Sequence, residues 1–289
     1  MPRLTVLDAP IDSSGEGRGE EHAPAALRAA SIVERLRAAD AGAAEARIRD
    51  SRRDPETGVI GAADVRSGAT AIAARVRGIL DDGQVPLVVG GDCTLLLGVF
   101  GAVPRGTGLW FVDGHADFYD GNSSPTGEAA DMDLAILTGH GPSTVLPDEA
   151  SPLNPSTVVL LGHRPDELSP DVATENAGLD PAIHALTAPE VQRRGAATVG
   201  AEAAAELAEQ PAWLHLDLDV LDETALPAVS YPQPLGLGWE ELTELARPLA
   251  AAPNLVGISV ADYNPDRDPD GTHARAIVDA LERLLATAV

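Results

Sequence analysis

Gly108-Leu109-Trp110-Phe111-Val112-Asp113-Gly114-His115-Ala116-Asp117 is the stretch from which the fold can be read. Residues 108–112 form an apolar run of the kind buried on both faces of a parallel sheet, and the run stops abruptly at two acids and an imidazole. A second run, Ala212-Trp213-Leu214-His215-Leu216, ends in the same manner at Asp217-Leu218-Asp219. Four carboxylates and an imidazole gathered at the ends of hydrophobic strands repel one another if left bare. A pair of divalent cations removes that repulsion, because hard oxygen ligands together with imidazole are what such ions take.

Working outward, short apolar runs alternate with Ala/Leu/Arg/Glu-rich segments of helical period. The pattern predicts strands at 3–8, 45–49, 86–90, 108–113, 156–161, 181–185, 212–218 and 254–260. It predicts helices at 24–39, 65–81, 94–101, 131–139, 188–208, 239–251 and 271–287. Such alternation implies an α/β fold with a mostly parallel sheet covered by helices on both faces. A closed barrel would also accommodate eight strands, but the placement of the motifs favours an open doubly wound sheet. Ligands then collect at the carboxyl ends of the strands, where Asp113, Asp217 and Gly90-Gly91-Asp92-Cys93 lie. No repeat or composition break divides the chain, so residues 1–289 are expected to form a single domain. The Gly/Pro/Ser/Thr-rich stretches 119–130 and 222–238 read as long loops over the site.

Composition narrows the function. The net charge of −25 speaks against nucleic acid or an anionic membrane as partner. All 20 basic residues are arginine, which excludes Schiff-base chemistry, pyridoxal phosphate and the P-loop lysine. A lone cysteine, Cys93, cannot form an internal disulfide, and neither a signal pattern nor a membrane-length apolar stretch is present. The expected location is the cytoplasm.

Taken together, three segments resemble the ureohydrolases, the superfamily of arginase, agmatinase and formimidoylglutamase. They are Gly90-Gly91-Asp92-Cys93, Asp113-Gly114-His115-Ala116-Asp117 and His215-Leu216-Asp217-Leu218-Asp219-Val220-Leu221-Asp222. The N-terminal Gly17-Arg18-Gly19-Glu20-Glu21-His22-Ala23-Pro24-Ala25-Ala26-Leu27-Arg28 and the late Asp262-Tyr263-Asn264-Pro265 follow the family's order as well. The resemblance implies a three-layer α/β/α domain with a central eight-stranded parallel sheet and two Mn2+ per chain at its C-terminal edge, although another divalent metal would also suit Cys93. It implies that Asp113 and Asp217 bridge the ions, that His115 and Asp219 complete one sphere, and that Asp117 and Cys93 complete the other. It further implies hydrolysis of a linear C–N bond in a small-molecule guanidine or amidine by a metal-bridging hydroxide, releasing urea or an analogue, in a homo-trimer or homo-hexamer. Asp117, Asp262 and Glu128 are the candidate catalytic groups, and Asp262, Glu128 and Glu167 the candidate substrate contacts. The alternative is a non-catalytic protein that keeps the fold as a regulatory or assembly subunit.

Several positions depart from the family pattern. Cys93 stands where an imidazole normally ligates one ion, and it is either a soft ligand or a packed thiol. A branch with Cys at this position includes the hydrolase of hydroxylated arginine in D-cycloserine biosynthesis. Ala130 occupies the place of a proton-shuttling histidine, leaving Glu128 or Asp131 as acids in that loop. Tyr119 and Glu128 alter the polar grip on a substrate carboxylate, and Asp262 is one methylene shorter than the usual Glu. Glu167 matches a carboxylate that binds an α-amino group. Asp92 is expected to cap the helix it precedes, and His22, His140, His163, His184 and His273 to be surface or loop residues. His215 shares a strand face with Asp217 and Asp219 and is open to three roles: support for a ligand, ligand, or packed core residue.

Overall fold

The apolar runs become the strands of one sheet. In a computed structural model describing residues 3–286, the strands are β1 (Leu4–Ala9), β2 (Ala39–Ala43), β3 (Val85–Gly90), β4 (Gly108–Val112), β5 (Val158–His163), β6 (His184–Thr187), β7 (Ala212–Asp217) and β8 (Leu255–Ala261). They pair in the order β2-β1-β3-β8-β7-β4-β5-β6, and every pairing is parallel. The helices are α1 (Ala23–Ala29), α2 (Ile32–Arg35), α3 (Ala62–Asp81), α4 (Leu95–Val99), α5 (Asp133–Leu137), α6 (Pro170–Asn176), α7 (Ala188–Arg194), α8 (Ala196–Glu206), α9 (Trp239–Ala250) and α10 (Thr272–Leu285).

Period-2 alternation sends neighbouring side chains into two separate cores. Trp110, Val112, Leu214, Leu216 and Val260 pack with α1, α2 and α7–α10 on one face. Leu109, Phe111, Leu160 and Trp213 pack with α3, α4 and α5 on the other. The result is the expected three-layer α/β/α architecture.

Four expectations are corrected. The second strand is Ala39–Ala43, not 45–49; Thr5 and Val6 of β1 pair with Ala39 and Asp40. This edge strand is built of small residues, none of them buried, and its partner's backbone, not an apolar pattern, holds it. The helix expected over 24–39 breaks at Ser31 (φ 65°) and ends before Arg37 (φ 51°). The helix expected over 188–208 is two, divided at Gly195 (φ 88°), where glycine carries the positive φ without strain. Strand β5 lies two residues later than expected, because Pro155–Thr157 form a 3-10 turn whose cap is the Asn154 side chain, and β6 lies two to three residues later. Helix α6 was not anticipated. Among the described residues no helix is long and apolar enough to cross a membrane.

The topology places the site. β3, β8, β7 and β4 are consecutive in the sheet, so their carboxyl ends bring Cys93, Asp262, Asp217 and Asp113 to one edge.

Candidate metal centre

Each functional side chain is set by local backbone. A Cβ on Gly91 would fall 1.7 Å from the Ile11 carbonyl oxygen, so only glycine permits the chain leaving β3 to run against residue 11. The same Gly91 carbonyl accepts the Asp262 N–H at 2.7 Å, tying the β8 exit to the β3 exit. Asp262 (φ 65°) and Asp117 (φ 47°) both hold left-handed backbone, a conformation costing about 1 kcal/mol for a non-glycine residue and kept where the surroundings over-determine it. Asp92 does not cap α4, whose N-cap is Thr94. Instead its buried carboxylate accepts from the backbone N–H of Ser13 and Thr94 and braces the loop carrying Cys93.

The six side chains expected around metal converge. The Cys93 thiol donates to Asp217 Oδ2 at 2.7 Å and lies 3.2 Å from Asp262 Oδ2 and 3.7 Å from Asp113 Oδ2. His115 Nδ1 is 2.8 Å from Asp219 Oδ2 and 3.9 Å from Asp113 Oδ1. Backbone N–H groups pre-orient the carboxylates: His115 donates to Asp113 at 2.6 Å, Asp219 to Asp217 at 2.6 Å, and Gly114 to Asp219 at 3.2 Å. Donor atoms of Cys93, Asp113, His215 and Asp217 lie within 4.8 Å of one another, as do those of Asp113, His115 and Asp117, and those of Cys93, Asp117 and Asp133. Oxygen, imidazole and thiol donors in overlapping sets suit divalent cations.

Electrostatics agrees. Burial, then the charges of Asp217 and Asp219, push Asp113 far above the carboxylate range. Burial and Asp219 raise Asp217 to about 7. Burial and Asp113 raise Asp117, while burial and the facing carboxylates raise the Cys93 thiol. Burial works against charge on His115, yet the Asp219 carboxylate outweighs it and lifts the imidazole to about 9. Without cations, then, the cluster is held together by protons, and cations of higher charge can take their place.

His215 is packed and neutral. It stacks on Phe111 with centroids 5.3 Å apart, its Nδ1 meets Ser259 Oγ at 2.7 Å, and its Nε2 stands 3.1 Å from Cys93 Sγ. Burial lowers it to about 3. Ser259 is fixed in turn by the Trp213 indole N–H at 2.9 Å, so this network supports Cys93 from behind.

The cavity over the centre is lined by Cys93, His115, Asp117, Asp217, Asp219 and Asp262 below, and by Tyr119, Thr126, Glu128, Tyr231 and Gln233 from the two long loops. Glu128 is buried and pairs with Arg18 Nη1 at 2.6 Å, a contact the sequence did not suggest. Burial raises Glu128 to about 7 against the pull of Arg18. Tyr231 donates its hydroxyl to Glu128 at 3.4 Å and accepts from Arg18 at 3.0 Å, so three segments distant in sequence meet at the mouth. Ala130 and Asp131 also line the cavity.

Glu167 is a correction: it is exposed on the 3-10 turn Asp166–Leu168 and lies outside the cavity lining. Glu175 of α6, by contrast, is buried and does line the cavity. The i, i+3 spacing of Val172 and Glu175, the two buried residues of that helix, was the available signal. Glu20 also lines the cavity unforeseen. His163 is not a surface residue either; it is buried at the end of β5, and burial lowers it to about 4. Beneath the centre, the buried Arg164 guanidinium donates to the carbonyls of Asp219, Val220, Leu221, Gln233 and Pro234 at 2.9–3.2 Å. That fork pins the segment following β7, and with it Asp219.

The family described as Arginase family matches residues 3–286 of this chain. Among curated proteins the chain is similar to the arginase of Bacillus caldovelox, 29% identical over 299 aligned positions that cover 97% of this chain and 98% of that one. It is also similar to the arginase of Bacillus subtilis (strain 168), 26% identical, with 98% and 97% covered. Among solved structures, arginase from Bacillus caldovelox superposes with a TM-score of 0.86 at 28% identity, covering 98% of each chain.

Proposed function

The chain belongs to the arginase family and is a hydrolase of the ureohydrolase type, and from that premise we propose that it cleaves a linear C–N bond of a guanidine using two Mn2+ ions. Asp113 and Asp217 would bridge the pair, His115 and Asp219 would complete one sphere, and Cys93 and Asp117 the other. The observation that carries this reading is the convergence of five of these side chains in overlapping donor groups at the carboxyl ends of adjacent central strands, with Asp219 joined to them through His115. When bound, such ions supply positive charge that lowers the pKa of water toward neutrality and so furnish a nucleophile for a guanidinium carbon.

The remaining chemistry falls to the protein. Asp262 holds the cationic guanidinium through charge-assisted hydrogen bonds, and its bonded N–H and left-handed backbone fix where that carboxylate sits. Glu128, raised to about 7 by burial, is matched to proton exchange near neutral pH. It is the candidate acid for the leaving amine where Ala130 offers none. Glu20, Asp92 and Glu175 make the cavity wall acidic, and Arg18, the cation nearest Glu128, is already engaged with it. A substrate carboxylate is therefore poorly accommodated, which favours guanidines lacking one or carrying a better leaving group, such as hydroxyguanidines. Assembly as a homo-trimer or homo-hexamer in the cytoplasm belongs to the same proposal.

The test combines metal per chain by elemental analysis with colorimetric urea and hydroxyurea release across arginine, agmatine, guanidino acids and hydroxyguanidines. Turnover of one of these with two ions bound is expected. A folded sample that takes up no metal under saturating Mn2+ would overturn the proposal.

A further inference from the structure

Asp133 opens α5 on the α3–α5 face of the sheet, and none of its side chain is exposed. Among the described residues it is the one acid whose two carboxylate oxygens are both buried without a hydrogen-bond partner. A buried carboxylate left in that state costs several kcal/mol unless something compensates it. One of its oxygens lies within 4.8 Å of donor atoms of both Cys93 and Asp117. Asp133 does not line the cavity, so it meets the centre from the protein side.

We propose that Asp133 is an additional ligand of the ion held by Cys93 and Asp117. The proposal rests on the two-ion reading above. Its logic is donor chemistry: a thiol is a soft donor that must lose a proton to bind well, and Mn2+ is a hard ion low in the affinity order. A carboxylate entering the same sphere supplies the hard anionic oxygen that Cys93 lacks, without requiring a thiolate. Asp262 also stands 3.2 Å from Cys93 but is assigned to the guanidinium, and His215 offers only nitrogen, with both ring nitrogens already partnered by Ser259 and Cys93. Asp133 has none.

The experiment is equilibrium dialysis of Mn2+ against the wild-type chain, Asp133→Asn and Asp133→Ser, with elemental analysis and thermal unfolding of each protein with and without metal. The expected result is that both variants lose one of two ions, or bind it at least tenfold more weakly, while the other ion keeps its wild-type Kd. The metal-free variants are also expected to unfold cooperatively within a few degrees of the metal-free wild type, so that a lost ion is not a lost fold. Two ions at wild-type affinity in both variants would overturn this proposal and leave the proposed function standing. Failure of both variants to fold even under saturating Mn2+ would also overturn it, marking Asp133 as structural. A wild-type chain that binds no metal overturns both readings.

Discussion

Replacing Arg164 by Lys should loosen the floor of the centre without touching a single proposed ligand. The guanidinium serves five backbone carbonyls, whereas an ammonium has three donors radiating from one point and cannot reproduce the planar fork. The Val220 and Gln233 carbonyls keep backbone donors in Leu237 and Glu223, but those of Asp219, Leu221 and Pro234 rely on the fork, and a shorter, tetrahedral ammonium leaves at least one of them unpaired, at about 1–3 kcal/mol. A loss of about 2 kcal/mol is the central expectation. Unfolding entropy near 2.1 cal/mol/K per residue makes that a fall in Tm of about 3 °C for a chain of this length. Because Asp219 is among the residues whose carbonyls are released, the ion held by His115 and Asp219 should also bind more weakly. Differential scanning calorimetry on the metal-free protein reads the first effect, and Mn2+ titration the second. A Tm within about 1 °C of wild type, with unchanged Mn2+ affinity, would refute the argument that this fork fixes the segment after β7.

Asp217→Ala should remove both ions rather than one if, as proposed, the same carboxylate serves both; elemental analysis showing one ion retained would deny it that role. The metal-free protein should lose stability as pH rises from 6 to 8. Asp217 is raised to about 7 and His115 to about 9 in the fold, and groups whose folded pKa exceeds the unfolded value of about 3.9 or 6.5 stabilise the fold only while protonated. The rise in Tm on adding Mn2+ should accordingly be larger at pH 8 than at pH 6, and a pH-independent increment would count against proton displacement. L-arginine should be turned over less well than a guanidine without the α-carboxylate, measured as kcat/KM, and the opposite ranking would show that the acidic cavity wall has been misread. Cys93→His alone should destabilise the protein by about 1–3 kcal/mol through overpacking, since His215 Nε2 stands 3.1 Å from the sulfur. Adding His215→Ser should recover much of that loss in urea unfolding.

The central strands were legible because each combines an unbroken apolar run with an abrupt polar end. That same signature located Asp113, His115, Asp117, Asp217 and Asp219. The edge strand Ala39–Ala43 was not legible, because its register comes from hydrogen bonds to β1 and not from its own residues. The breaks at Ser31 and Gly195 depend on single backbone conformations inside segments of helical period, which periodicity cannot register. Within the site, acids at strand ends announced themselves, and Glu175 left only the i, i+3 spacing with Val172, whereas Glu20 and Asp133 are acids like many others until tertiary packing buries them. The Arg18–Glu128 pair joins residues 110 positions apart, a separation over which a single sequence carries no local signal. Glu167 shows the converse hazard, since position within a motif suggested a substrate contact, whereas the turn Asp166–Leu168 leaves it exposed outside the cavity lining.

The order of strands has a consequence for how the chain is made. β3 and β4 are synthesised early, yet β8 and β7 stand between them in the sheet. Until residues 212–261 leave the ribosome, the N-terminal portion can form only two half-sheets, β2-β1-β3 and β4-β5-β6, each with an open edge of apolar residues. Unpaired edges of that kind invite association between nascent chains, and the loop closures that finally insert β7 and β8 are long and correspondingly slow. Metal cannot serve as an early folding template either, because Asp217 and Asp219 arrive with the last third of the chain. A ribosome-bound fragment ending near residue 205 should therefore neither retain Mn2+ nor resist proteolysis, and the protein's dependence on chaperones should be concentrated in the interval before β7 emerges.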